Sequence, residues 1–242
     1  MKIKILLLLL LVFAFSSITF AQSVVITSKK VTYKRPKPEM DFKKTFTINY
    51  PKVKAANARL SKKIETTISY EKNLALNLKD ELGEIQWLEE ADYEVGYNQN
   101  GILSINLFVS GSGAYPSSSS KTIVVDLRTG NKVRYIDVFK NLNELITKIR
   151  TMQKEEIKEA IKVIKEDPDY NDLDTDELFQ NKDFKLADFE GFSLDDQGVT
   201  FGYNYGFRHA IRALQPDGTY FFSWAQLKPF IKPAGLLGRF IR

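Results

Sequence analysis

The sequence predicts an α+β protein, an antiparallel sheet of meanders and hairpins with helices packed on one side. Three observations carry this. Residues 93–109 alternate apolar and polar side chains across a turn cluster at Asn98-Gln99-Asn100-Gly101, the pattern of an antiparallel hairpin with one buried face. Residues 56–68 and 142–164 instead repeat apolar side chains every three or four positions, which draws the stripe of a helix lying on a core. Successive strands are joined by short turns and do not alternate with crossover helices, which excludes a parallel doubly wound sheet.

The chain opens with a processing signal. Lys2 and Lys4 precede an apolar run over 5–15, and Thr19-Phe20-Ala21 places small residues one and three positions before a cut after Ala21. This is the layout of a secretory signal peptide over 1–21. Its apolar core of ~11–15 residues is shorter than the ~20 that span a bilayer, and no later run reaches that length. The expected location is therefore periplasmic or secreted. With no cysteine, the protein has neither a thiol for a lipid anchor nor disulfides to constrain the unfolded chain. Stability must come from apolar burial, at about 25 cal/mol per Å², and 17 Phe and 11 Tyr can supply it. A net charge of +5, part of it Lys2 and Lys4, is too mild to point to nucleic acid.

Residues 22–41 read as an exposed basic segment, with Lys29, Lys30, Lys34, Arg35 and Lys37 around Pro36 and Pro38, and a short leading strand at Val24-Val25-Ile26. A strand over 42–50 is expected to stop at Pro51. Ala56, Leu60, Ile64 and Ile68 mark one helix, and a second helical piece over 74–82 ends near Gly83. The period-two hairpin follows, then the loop Ser110-Gly111-Ser112-Gly113-Ala114-Tyr115-Pro116, a strand over 122–127 and a Thr129-Gly130-Asn131 turn. Asp137 or Asn141 can cap the next helix. Its stripe is Leu142, Leu145, Ile146, Ile149 and Met152, continued by Ile157, Ile161 and Ile164, and Pro168 ends it. Asp174 and Glu177 have capping-box spacing. Asp195-Asp196-Gln197-Gly198 turns a hairpin between 192–194 and 199–201. An aromatic-rich end and a closing helix over 225–231 complete the chain.

Candidate chemistry is sparse. His209 is the one histidine, and zinc sites want several His or Cys ligands. Gly111-Ser112-Gly113 lacks the Gly-x-Ser-x-Gly spacing of a nucleophile turn. The acidic run 167–172 fits the first, third and fifth positions of a calcium loop. It carries Asp172 where glycine must turn the chain, and Leu178 where a bidentate Glu belongs. A glycan hydrolase or deacetylase working through carboxylates is the competing reading, but Glu94 and Asp126 read as surface residues of strands. The aromatics Tyr97, Tyr115, Tyr203, Tyr205, Phe207 and Trp224 are more informative, because tyrosine offers area with a polar tip to sugars or protein partners. The residues expected to bind ligand are Gly111, Gly113, Tyr115, Tyr203, Tyr205 and His209, with no catalytic residue, metal or cofactor.

The loop 110–116, the Val125-Asp126-Leu127-Arg128-Thr129-Gly130 run and Ile136-Asp137-Val138-Phe139 together resemble a bacterial extracytoplasmic domain of unknown function. Leu194-Asp195-Asp196-Gln197-Gly198-Val199-Thr200-Phe201 with Tyr203-Asn204-Tyr205 is similar to that domain's closing hairpin. Ile48-Asn49-Tyr50-Pro51 and the helix after it resemble the domain that usually precedes it. Ser112 stands where the family commonly has glycine, and Tyr115 where histidine is frequent. This pair accompanies the catalytic domain of peptidoglycan deacetylases, and its second member forms the lysozyme-binding extracellular domain of the anti-sigma-V factor. The resemblance implies an N-terminal subdomain over 42–110 and a C-terminal one over 111–242. It also implies an exported binding domain for a cell-wall glycan or a lysozyme-like protein.

Overall fold

Residues 25–34 form a full strand, with most of its side chains exposed. In the computed structural model, which describes residues 23–241, β1 (Val25–Lys34) pairs antiparallel with β2 (Thr45–Lys54) along its whole length. The expected signal peptide over 1–21 lies outside the described residues. The basic side chains that made this stretch read as a tail sit on an edge strand, where lysines discourage pairing with other chains. β2 also runs through Pro51. Its other neighbour pairs only Thr47 and Ile48, so the proline sits where one flank of the strand is open.

Three short helices follow, α1 (Ala58–Thr67), α2 (Tyr70–Leu74) and α3 (Leu78–Leu82). Each begins at a side-chain cap: Asn57, Ser69 and Asn77 accept from the first-turn N–H groups. The helices carry the chain across the sheet, so β3 (Leu88–Gln99) returns parallel to β2. β4 (Ile102–Ser112), β5 (Pro116–Asp126) and the two-residue β6 (Asn131–Lys132) then run as an antiparallel meander, and the sheet order is β1-β2-β3-β4-β5-β6. The subdomain boundary expected between 110 and 111 falls inside β4, which pairs with β5 without interruption from Ile102 to Ser112.

The remaining chain builds a second layer. α4 (Tyr135–Val138), α5 (Leu142–Glu166) and α6 (Thr175–Phe179) precede a three-stranded antiparallel sheet of β7 (Phe192–Leu194), β8 (Gly198–Gly202) and β9 (Thr219–Ser223). The closing helix, α7 (Trp224–Leu227), is shorter than expected. Asp174 caps α6 as its spacing predicts, accepting from the N–H groups of Asp176 and Glu177. Asn141 occupies the cap position of α5 in a left-handed conformation, without a side-chain cap bond. The stripe of α5 also shifts. Met152 is exposed and Gln153 is buried, because its amide donates to Lys182 O and accepts from Phe184 N–H. A satisfied amide can enter a core at small cost.

Two apolar cores result. Phe46, Ile48, Leu103, Ile105, Leu107, Ile123 and Val125 line one face of the large sheet and bury Ile64, Ile68 and Tyr70 of the helices. Phe139, Phe189, Phe192, Phe201 and Phe222 of the second layer meet Leu145 and Ile149 of α5, together with Ile102 and Val124 from the sheet's other face. This face is apolar only at that end. Farther along, it presents Asn106, Phe108 and Ser110 on β4, beside Thr122, Ser120 and Ser118 on β5 and Glu94, Asp92 and Glu90 on β3.

Candidate functional site

A trough of about 530 Å³ opens where this polar face meets the second layer. One wall is Phe108 and residues 118–122 of β5; the other is formed by Tyr203, Asn204, Arg212 and Gln215, with Gly191 and Gly202 between. A second trough of about 340 Å³ shares Thr122 with the first and reaches Glu94, Ser104, Asn106 and Asp195. The lining of the larger one carries hydroxyl and amide groups, the two aromatic rings, and two cations, Lys121 and Arg212. No acidic residue lines it.

The β5 wall is an open sheet edge. On its outer side β5 pairs only Val125 and Asp126 with β6, and Val133 N–H donates to Val124 O at 2.8 Å. Backbone groups in a strand alternate between its two flanks, so those of Ser118, Ser120 and Thr122 point outward with that of Val124. None of these outward groups has a backbone partner among the described residues. Small serine side chains leave the edge sterically open.

Tyr115 and His209 join the two walls. The Tyr115 ring lies 5.3 Å from the His209 imidazole at 31°, tying the β4–β5 loop to the 3-10 turn His209–Leu214 that also carries Arg212. Tyr115 is 69% exposed. Tyr203 lines the trough and packs edge-on against Tyr205 at 4.9 Å. Burial, then the charges of Asp188 and Asp183, raise its hydroxyl above the ordinary tyrosine range.

Of the remaining expected residues, Tyr205 and Gly111 are packed into the fold and Gly113 is exposed. Tyr205 is fully buried. Its hydroxyl donates to Glu156 at 2.7 Å and lies 2.9 Å from the hydroxyl of Tyr220, which donates to the same carboxylate oxygen. It therefore shares no surface with Tyr115. The sequence could not distinguish a tyrosine that spends its hydroxyl on a buried carboxylate from one that offers it to a ligand. Gly111 lies inside the sheet opposite Leu88, and a Cβ there would collide with the Trp87 carbonyl. Gly113 is exposed in the loop, with the Trp87 ring 3.9 Å from the place of a Cβ. Tyr97 and Phe207 are buried, and Trp224 stacks on Phe240 at 4.1 Å.

Sequence reasoning missed Phe108, the serine edge, Arg212 and Gln215. Two signals were present. Phe108 breaks the alternation of Leu103, Ile105, Leu107 and Val109 by placing a large ring on the wet face, and Ser117-Ser118-Ser119-Ser120 is a poor strand former that is nevertheless fully in a strand. Among the described residues no group of three or more His, Cys, Asp or Glu side chains is arranged to hold a metal, and no helix is long and apolar enough to cross a membrane.

Fold and site define a two-layer α+β domain with a polar trough between its sheets. No family model and no curated protein matches the chain. Among solved structures it resembles a DUF3298-family protein of Bacteroides fragilis, with a TM-score of 0.53 and 15% identity over 92% of this chain and 98% of that one. A DUF3298-family protein of Pseudomonas aeruginosa is a looser likeness, at 0.47 and 15% over 88% and 95%. At this identity the first likeness shows a shared fold, that of a domain of unknown function.

Proposed function

We propose that the chain is an exported cell-envelope binding domain whose trough takes a cell-wall glycan. The observation that carries this is the lining of the trough: hydroxyl and amide groups between two aromatic rings, Phe108 and Tyr203. Sugars present dense hydroxyls around apolar ring faces, so a site for them needs polar donors and acceptors beside flat aromatic area. The volume lies within the range of small-ligand clefts, roughly 300–1,000 Å³. The signal-peptide pattern and the resemblance to wall-associated domains support the same reading.

A lysozyme-like protein is the second reading, favoured by a separate observation. Met40, Phe42, Ile85 and Tyr115 are large exposed side chains, and all lie in connections at one end of the large sheet, Met40 and the 3-10 turn residue Phe42 before β2, Ile85 before β3 and Tyr115 between β4 and β5. Exposed aromatic and Met side chains of this kind anchor protein interfaces. A carboxylate hydrolase has less support. Glu94 and Asp195 share the smaller trough, but Asp195 already accepts from the N–H groups of Gln197 and Gly198 in its turn.

Calorimetry with soluble peptidoglycan fragments and, separately, with lysozyme tests these readings. Fragment binding that falls about tenfold, roughly 1.4 kcal/mol, in Phe108→Ala supports the glycan site. Binding of lysozyme alone, weakened by Phe42→Ala, favours the protein partner. Absence of both at high micromolar concentration rejects the proposal.

A further inference from the structure

The trough has a feature that a sugar site does not require, because its β5 wall is a run of backbone hydrogen-bonding groups at strand spacing. The N–H and C=O of Ser118, Ser120 and Thr122 face outward without backbone partners among the described residues. An antiparallel or parallel strand is the natural complement to such a row, since its own groups recur at the same two-residue interval. Open edges are ordinarily blunted by bulges, prolines or covering loops. Here β4 and β5 pair without a register shift, and Pro116 stands at the far end, clear of the open groups. The second layer faces the edge across a gap of about 530 Å³ and does not cover it.

The facing wall indicates what the strand carries. The Arg212 guanidinium has no hydrogen bond or ion pair among the described residues, whereas those of Arg35, Arg128, Arg134 and Arg150 each hold a carboxylate or carbonyl. Gln215 uses its side-chain oxygen to accept from Phe207 N–H at 3.0 Å, which leaves its amide N–H groups for the trough. With no carboxylate lining this trough, an unpaired guanidinium beside an amide donor is suited to a carboxylate. We infer that the trough binds an extended, carboxylate-bearing peptide, which adds to the open edge of β5 as a strand with its carboxylate at Arg212. The inference rests on the cell-wall reading and sharpens it: the recognised part of the polymer is the peptide attached to the glycan.

The test is calorimetry on the full chain with four probes: peptide-bearing peptidoglycan fragments, the same glycan stripped of peptide, the released peptides, and those peptides with their carboxyls amidated. The fragments are expected to bind at least tenfold tighter than the stripped glycan. Ser120→Pro is the informative variant, because the N–H it removes faces outward, away from the β4 pairing. It should keep the far-ultraviolet circular dichroism and lower fragment affinity at least tenfold. Arg212→Gln should weaken peptides with a free carboxylate and leave the amidated peptides unchanged. Stripped glycan binding as tightly as the fragments overturns the inference and leaves the glycan reading standing. Released peptides binding as well as the fragments uphold the inference and remove the glycan reading. Unchanged affinity in both variants overturns the inference, as does a dimer in sedimentation that Ser120→Pro abolishes, since the edge would then belong to a second copy.

Discussion

Gly111 and Glu156 show how far single residues can be understood from their surroundings. β3 passes so close to Gly111 that a Cβ would meet the Trp87 carbonyl, so Gly111→Ala must push the strands apart. It should cost about 1–3 kcal/mol, seen as a lowered urea midpoint. Glu156 accepts from Tyr205, Tyr220 and the Gly218 N–H. Glu156→Ala would strand these donors and should cost roughly 2–4 kcal/mol. Tyr115→Ala, at an exposed loop tip, should leave stability within about 0.5 kcal/mol. The tyrosines also set an alkaline limit. Burial, the largest cause, raises the hydroxyls of Tyr70, Tyr205 and Tyr220 above their ordinary value near 10. A raised folded-state value means stability fully present below pH 10 and lost as pH climbs beyond it. Tyrosinate absorbance from these three should therefore appear together with unfolding, followed by circular dichroism. The sequence points to Tyr115 in a loop over 110–116, but β4 runs to Ser112 and β5 starts at Pro116, so the loop is shorter than expected. The sequence could not sort Tyr203 from Tyr205, because two positions along a strand-like segment separate a trough wall from a core.

Among the elements, residues 22–41 depart furthest from what the sequence suggests: a lysine-rich stretch forms a strand, and Arg35, expected on an exposed segment, is the most buried cation among the described residues. Arg35 is 2% exposed. Its guanidinium donates to the carbonyls of Glu81, Lys43 and Leu88, pairs with the Glu81 carboxylate at 3.2 Å, and lies over the Phe46 ring. Gln86 adds bonds to Lys37 O and Glu39 N–H. Together these lock the β1–β2 loop to the segment entering β3. Arg35→Met removes one partner of a buried pair and should cost about 3–5 kcal/mol in chemical denaturation. Amphipathic patterning cannot reveal such a latch, because its members are polar and their partners lie about fifty positions away. The α1 and α5 stripes and the β7–β8 hairpin, whose signals are local, were legible.

For the molecule as a whole, class was legible and layering was not. Period-two segments and short turns announce an α+β fold with antiparallel sheets. Nothing in the pattern tells which face of β4 meets the helices and which meets a second sheet. The β4–β5 hairpin is what joins the two cores. Leu103 and Val125 belong to the helix-covered core, whereas their chain neighbours Ile102 and Val124 belong to the other. Opening either core would leave one side of the same strands exposed to water, so the layers should unfold together in one transition. That arrangement also assigns a clock to particular amides. The N–H groups of residues 102–105, Ile123 and Val125 are shielded on both sheet faces, and no local fluctuation of one layer uncovers both. In hydrogen–deuterium exchange they should be the last to take up label, at a rate set by global opening. The outward-facing amides of Ser118 and Ser120, one strand segment away, should exchange among the first.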